Sequence, residues 1–277
     1  MALRESWDGR TGRSPIAKVP DAGAVVPASL YFTVRDGLRL HARQYPARRP
    51  TGRRPVLCLA GLTRNSKDFH DIALALADAG PLSRDVYALD SRGRGRSEHD
   101  PVWQNYSPFI EALDALDFLA LRRLREVAVI GTCRGGILAM IMATLRPTSL
   151  GCVVLNDIGP VIEPTGLVRL IGYVGRVPVP DNWLEARRLV QRLGARDFPR
   201  LDEATWDEIA RQTFADVDGA PEQDYDVAIG RSLSVTDIAT GLPTMWDQLG
   251  ALSRMPTMVL RGECSDFLSA QTVREMT

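Results

Sequence analysis

Residues 127–140, VAVIGTCRGGILAM, constrain the fold more than any other stretch of the chain. A short apolar run, 127–130, enters Gly131-Thr132-Cys133-Arg134-Gly135 and leaves from Gly136 as an apolar, helix-compatible segment. That pattern reads as strand, tight turn and helix. Glycines on both sides of Cys133 relieve crowding in a turn that would hold the cysteine in a strained backbone conformation, its sulfur above a sheet edge. The sulfur would then sit at a helix N-terminus, where free N–H groups and the dipole favour a thiolate and favour an oxyanion on the atom it attacks. The same pentapeptide also suits a glycine-rich turn around a buried, inert cysteine, because free cysteine is among the most buried residue types.

A chain of 277 residues, 45% of them hydrophobic, suffices for one large α/β domain or two small ones with a sizeable core. Acidic and basic residues balance at 34 each, so no global field argues for nucleic acid or an anionic membrane as partner, and a small molecule is expected instead. Cys58, Cys133, Cys152 and Cys264 show neither a C-x-x-C spacing nor a disulfide framework, which fits a reducing, cytoplasmic setting. No apolar run approaches the ~18 residues of a spanning helix. The opening MALRESWDGRTGRSP carries charges where a signal peptide needs an apolar stretch, so secretion is not expected. No cluster of histidine, cysteine and carboxylates has ligand spacing, so neither a metal nor an organic cofactor is expected. Nothing in the pattern fixes an oligomeric state.

In chain order, residues 1–27 mix Arg, Gly, Pro and Ser without period and are expected to form a poorly ordered tail. Residues 29–35 and 38–45 alternate around Asp36-Gly37, a two-residue hairpin signal at an antiparallel edge. The run 55–60, PVLCLA, is a short buried strand followed by the glycine loop Gly61-Leu62-Thr63-Arg64 and a helical pattern over 67–79. A strand over 85–89 ends in D-S-R-G-R-G-R-S, residues 90–97, and a helix over 107–123 shows an apolar face of Phe109, Ile110, Leu113, Leu116 and Leu119. After the 127–145 unit, a strand over 152–155 runs into Asn156-Asp157. This alternation of short apolar runs and amphipathic helices predicts an α/β fold with a mostly parallel, doubly wound sheet.

From Pro160 to about Gln248 the rhythm breaks into a helical, irregular stretch with Trp183, Trp206, Tyr225 and Trp246 and no clear strand, which reads as an inserted helical lid whose aromatics mostly form its own core. Residues 256–260 resume the sheet, ahead of Arg261-Gly262-Glu263-Cys264-Ser265-Asp266 and a last helix capped by Ser269. The expected organisation is therefore a tail at 1–27, a first core part at 28–159, a lid at 160–248 and a second core part at 249–277.

Five segments in order, the early glycine loop, D-S-R-G-R-G-R-S, G-T-C-R-G-G, the helical insert and R-G-E-C-S-D, together resemble the α/β-hydrolase superfamily, in particular its lid-bearing esterase, lactonase and carbon–carbon hydrolase branch. The resemblance spans residues 29–276 and implies a hydrolase of ester, lactone or related carbonyl substrates. It implies Cys133 as nucleophile at an elbow between Gly131 and Gly135, in the G-x-S-x-G spacing with cysteine for serine. It further implies Asp266 as the acid that orients a catalytic histidine, and the backbone N–H groups of Leu62 and Arg134 as an oxyanion hole. Acyl transfer needs an attacking atom, a base and fixed donors for the oxyanion, and loops at one edge of a parallel sheet can deliver all three.

Two departures accompany the resemblance. Cysteine replaces serine, so a thioester would form that an activated water must then cleave. The histidine of the pattern would follow one further strand beyond Thr277, whereas no histidine follows His99 here; His41, His70 and His99 are expected to be structural or surface residues. A truncated chain is therefore expected, lacking ~25–30 residues by ordinary element lengths and leaving residues 257–260 as an exposed apolar edge. The alternative function is a non-catalytic ligand-binding or interaction protein that keeps the pocket without the chemistry. A disulfide or redox pair between Cys133 and Cys264 is a third option.

Overall fold

The computed structural model describes residues 25–233 and 242–277; of the expected tail, residues 1–24 lie outside the described residues. Strands β1 (Ala28–Thr33) and β2 (Arg39–Tyr45) pair antiparallel, and the parallel part begins with β3 (Val56–Leu59) and β4 (Val86–Asp90). It continues through β5 (Val127–Thr132) and β6 (Leu150–Asn156), while β7 (Phe214–Val217) and β8 (Ala220–Gln223) form a separate antiparallel hairpin and β9 (Thr257–Leu260) returns to the main sheet. The seven-stranded sheet has the order β1-β2-β4-β3-β5-β6-β9. Strands β3 and β4 are buried along their whole length, as continuous apolar runs in a sheet covered on both faces must be.

Eight α-helices are described: α1 (His70–Ala77), α2 (Pro108–Leu121), α3 (Arg134–Leu145), α4 (Pro164–Tyr173), α5 (Trp183–Gly194), α6 (Glu203–Thr213), α7 (Trp246–Leu252) and α8 (Ala270–Glu275). The main core joins β3, β5 and β6 to α2 and α3 through Leu57, Leu59, Phe118, Val129, Leu138 and Leu155. No helix among the described residues is long and apolar enough to cross a membrane.

The turn between β1 and β2 departs from the two-residue expectation. Gly37 N–H donates to the Val34 carbonyl (2.8 Å), so Arg35 and Asp36 are the central pair and Gly37, at φ +90°, follows them in the left-handed region. The alternation on both sides is unaffected, because the extra residue is absorbed in the turn. The helix expected over 67–79 divides into a 3-10 turn, Ser66–Phe69, and α1, with Asn65 accepting from Lys67 N–H at the start.

Helix α2 turns differently from the apolar face read in the sequence. Phe109 is 53% exposed, while Glu111 and Asp114 are buried with Ala115, Phe118 and Leu119. The cause is the 90–97 loop, which buries two arginines against that face. Arg92 donates Nε and Nη2 to Asp114 (both 2.7 Å), and Arg94 donates Nη1 to Glu111 (2.9 Å). Buried charges require partners, and that requirement overrides the hydrophobic ranking of faces.

Residues 160–248 contain the β7–β8 hairpin, which corrects the expectation of no strand there. Trp206 is buried between α5 and α6 with Ala186, Val190 and Phe214, and Trp183 donates its indole N–H to the Gly219 carbonyl (2.9 Å). Helix α7 starts at Trp246 and packs on α3, with Leu252 in the main core, so the expected boundary at 248 cuts a helix that belongs to the core layer. Strand β9 closes the sheet order, with Met258 57% and Leu260 47% exposed.

Helix α3 comes so close to β3 that a side chain at Gly135 would run into the Leu59 carbonyl, and one at Gly131 would lie 2.5 Å from the Gly135 carbonyl oxygen. Gly135→Ala is therefore expected to cost about 3 kcal/mol in urea unfolding, at the upper end of overpacking penalties. Gly172→Ala in α4, where a Cβ meets nothing within 4 Å, should instead gain up to about 1 kcal/mol from helix propensity.

Candidate functional site

Strand β5 ends at Thr132 and α3 begins at Arg134, leaving Cys133 as the junction at φ 50°, ψ −112°. A non-glycine residue at positive φ is strained and persists only where its surroundings over-determine it. Here the Cys133 N–H donates to the Asn156 carbonyl (3.0 Å), while its own carbonyl accepts from Gly136 N–H (3.0 Å) and Ile137 N–H (3.3 Å). The side chain is thereby directed into a cleft of about 370 Å³ at the C-terminal edge of the sheet. Asp157 after β6, Arg169 and Tyr173 of α4, Cys264 and Asp266 after β9 line the same cleft.

The other expected residues fall around this thiol. A Cβ built on Gly61 would lie 3.9 Å from the Cys133 Cβ, so the glycine that precedes Leu62 adjoins Cys133. Arg134 follows Cys133 as the first residue of α3, and its backbone N–H favours the thiolate form of the sulfur. The Arg134 guanidinium turns away, donating Nε to Glu111 (3.0 Å) and Nη2 to the Tyr106 carbonyl (3.1 Å).

Burial pushes the Cys133 thiol above its ordinary value, and the Asp157 charge adds to that; the Arg134 N–H, the Arg134 charge and Arg169 pull the other way without prevailing. This corrects the expected preference for thiolate. One turn of helix amides compensates only part of the desolvation at the floor of the cleft.

Asp266 lies in the cleft but is already engaged. Arg169 donates Nε to Oδ2 (2.9 Å) and Nη2 to Oδ1 (2.7 Å), and this bidentate pair holds the carboxyl below the usual carboxylate range. The backbone is tied at the same point, since Gly166 N–H donates to the Asp266 carbonyl (3.0 Å) and Glu163 N–H to the Phe267 carbonyl (3.0 Å). Among the described residues that line the cleft there is no histidine for Asp266 to orient. Nδ1 of buried His41 pairs with Asp90 (2.7 Å), Nδ1 of His70 meets the Tyr45 hydroxyl (3.1 Å), and the exposed His99 lies 3.9 Å from Asp226. Cys133 and Cys264 share the cleft as free thiols.

Sequence reading missed Arg169, Tyr173 and Asp157, because nothing in the pattern of α4 or of the turn after β6 points to one cleft. It also missed Glu111, for which a signal existed: an acid whose helical position is shared with Ala115 and Phe118 falls on the buried face of α2. No group of three or more metal-ligating side chains is gathered among the described residues.

A family model described as the alpha/beta hydrolase fold matches residues 54–222. The 3-hydroxybutyrate-oligomer hydrolase of Cupriavidus necator is 29% identical over 234 residues, which cover 82% of this chain and 78% of that protein. The crystal structure of an alpha/beta hydrolase from Novosphingobium aromaticivorans superposes with a TM-score of 0.83 at 37% identity, covering 92% of this chain and 87% of that one. A putative hydrolase from Rickettsia typhi shares the fold, with a TM-score of 0.76 at 21% identity over 91% of this chain and 87% of that one.

Two measurements check the electrostatics. Alkylation of Cys133 by iodoacetamide should rise with pH to a midpoint above that of a free cysteine. For Asp266, the folded pKa lies below the unfolded one, so its charge stabilises the protein above the unfolded carboxylate range and the gain is lost as pH falls. Asp266→Asn should cost about 2 kcal/mol in urea unfolding at pH 7, the scale of a charged hydrogen bond, and the gap should close between about pH 5 and pH 2.

Proposed function

Because the chain belongs to the alpha/beta hydrolase fold family, we propose that it acts on small ester, lactone or related carbonyl substrates through Cys133. The observation that carries this proposal is the backbone at Cys133: a positive-φ residue between strand and helix that lines an open cleft at the start of α3. Hydrolase relatives support a hydrolase, and the C. necator protein makes an oligomer or ester of a small hydroxy acid the first class to try.

In the proposed reaction the sulfur attacks the carbonyl carbon, and the carbonyl electron pair moves onto oxygen. The N–H groups of Leu62 and Arg134 donate to that oxyanion, each worth about 3 kcal/mol in a preorganised site. Leu62 N–H has no acceptor among the described residues, so it is free for this role. Collapse expels the leaving group with the proton of the thiol and leaves a thioester on Cys133. Hydrolysis of that thioester needs a base for water, and Asp266, engaged by Arg169, orients none in the cleft among the described residues. Acylation should therefore outrun deacylation. The insert, through Arg169 and Tyr173, acts as the lid over the acyl group. We place the reaction in a cytoplasmic, reducing setting, where the thiol of Cys133 stays free.

A second proposal, a non-catalytic binding protein that uses the same cleft, draws on the same Arg169–Asp266 pair and on the raised thiol pKa. Intact mass after brief exposure to 4-nitrophenyl acetate separates the two, with Cys133→Ala as control. We expect one lasting acetyl group on the parent and none on Cys133→Ala. Rapid turnover with no adduct would mean that a base reaches the cleft from elsewhere. The absence of any Cys133-dependent reaction would favour the binding protein.

A further inference from the structure

Leu62, in the loop beside Cys133, and Arg134, the residue after it, are joined beneath the site through one carboxylate. Arg94 donates Nε to the Leu62 carbonyl (2.7 Å) and Nη1 to Glu111 Oε1 (2.9 Å). On the other side, Arg134 donates Nε to Glu111 Oε2 (3.0 Å) and Nη2 to Oε1 (3.2 Å). The chain of contacts thus runs from Leu62 through Arg94, Glu111 and Arg134. It crosses from the loop after β3 to the first residue of α3 without passing through the cleft. The side chains are 1% exposed at Arg94, 0% at Glu111 and 11% at Arg134.

Stability alone is a poor reason for this arrangement. Three charges are taken out of water, Arg94 Nη2 finds no partner among the described residues, and burial lowers the Arg94 pKa even beside Glu111. Apolar side chains of similar volume usually serve a core as well or better than buried ion triads. What the triad does supply is geometry. Arg94 fixes the Leu62 carbonyl and so restrains the loop that carries the Leu62 N–H, while Glu111 anchors Arg134 at the helix start. Oxyanion donors act only when they sit about 2.7–3.1 Å from where the charge develops, so a drift of a few tenths of an ångström between the two loops weakens both.

We propose that Arg94 and Glu111 are positioning residues that set the Leu62 and Arg134 N–H groups at the spacing an oxyanion requires. The proposal rests on the acyl-transfer function given above and identifies what holds its donors in place.

The test compares two reactions of the same sulfur. Acetylation by 4-nitrophenyl acetate forms an S–C bond at a carbonyl, passes through an oxyanion and releases 4-nitrophenol. Alkylation by iodoacetamide forms an S–C bond at a saturated carbon, expels iodide and makes no oxyanion. Their rate ratio therefore cancels changes in thiolate fraction and in access to Cys133. Arg94→Lys and Glu111→Gln should each lower the ratio at least 10-fold, with thermal melting measured alongside. Arg92→Lys is the control for buried-charge damage: Arg92 sits in the same loop, fully buried against Asp114 and Asp100, but touches neither Leu62 nor Arg134. It should leave the ratio within 2-fold of the parent, even where it lowers the melting temperature as much as the other two. If Arg94→Lys unfolds the protein, Glu111→Gln decides the matter by the same ratio. An unchanged ratio in Glu111→Gln, or an equal fall in Arg92→Lys, would overturn the proposal while leaving acyl transfer in place. A parent that is alkylated but never acetylated at Cys133 would overturn both.

Discussion

The approach of α3 to β3 is the constraint on which the rest of the edge depends. With no room for a side chain at Gly135 and little at Gly131, the helix start is driven onto the sheet, and the residue between them must turn through positive φ. Cys133 is exposed to the cleft for that reason rather than through any preference of its side chain. The hydrogen bond from its N–H to the Asn156 carbonyl extends the β5–β6 pairing by one more step, so the strain is supported by the sheet itself. Every other group of the cleft is placed relative to this turn.

A second layer of organisation comes from the charged 90–97 loop. Asp90 is buried, which works against its charge, yet His41 and the N–H groups of Arg96 and Ser66 keep it below the ordinary carboxylate range. Arg92 and Arg94 reach α2 from the same loop, and Gly95 N–H donates to the Asp224 carbonyl (2.9 Å) while Asp226 N–H donates to the Gly93 carbonyl (2.7 Å). One loop thus clamps the edge hairpin, α2 and the insert together. Arg92 and Arg94 are buried against α2 and are not among the residues that line the cleft.

The cleft itself balances opposing terms. Burial and Asp157 favour the neutral thiol, while Arg134 and Arg169 favour the thiolate, and the former prevail. Arg169 is also committed to Asp266 and, at 3.1 Å, to Asp197, so its charge is largely neutralised where a substrate would meet it. Burial thus works against the Cys133 thiolate, while Arg169 holds the Asp266 carboxylate in a bidentate pair.

Much of the architecture was legible in the order of residues. Short apolar runs at 55–60, 127–130 and 256–260 and the glycines around Cys133 specify a parallel sheet with a strand-turn-helix at its centre, because period and backbone permissiveness are local properties. The Ser269 helix cap is local in the same sense. What the sequence could not decide was which groups meet across the chain. The burial of Glu111 and Asp114, the pairing of Arg169 with Asp266 over 97 positions and the outcome of the thiol's desolvation depend on distances set only when loops far apart in sequence converge on one sheet edge. Sequence by itself determined that a cysteine would stand at the turn; tertiary structure alone decided its neighbours and the direction in which they push its thiol, because desolvation and Coulomb energy depend on three-dimensional separation and not on chain position.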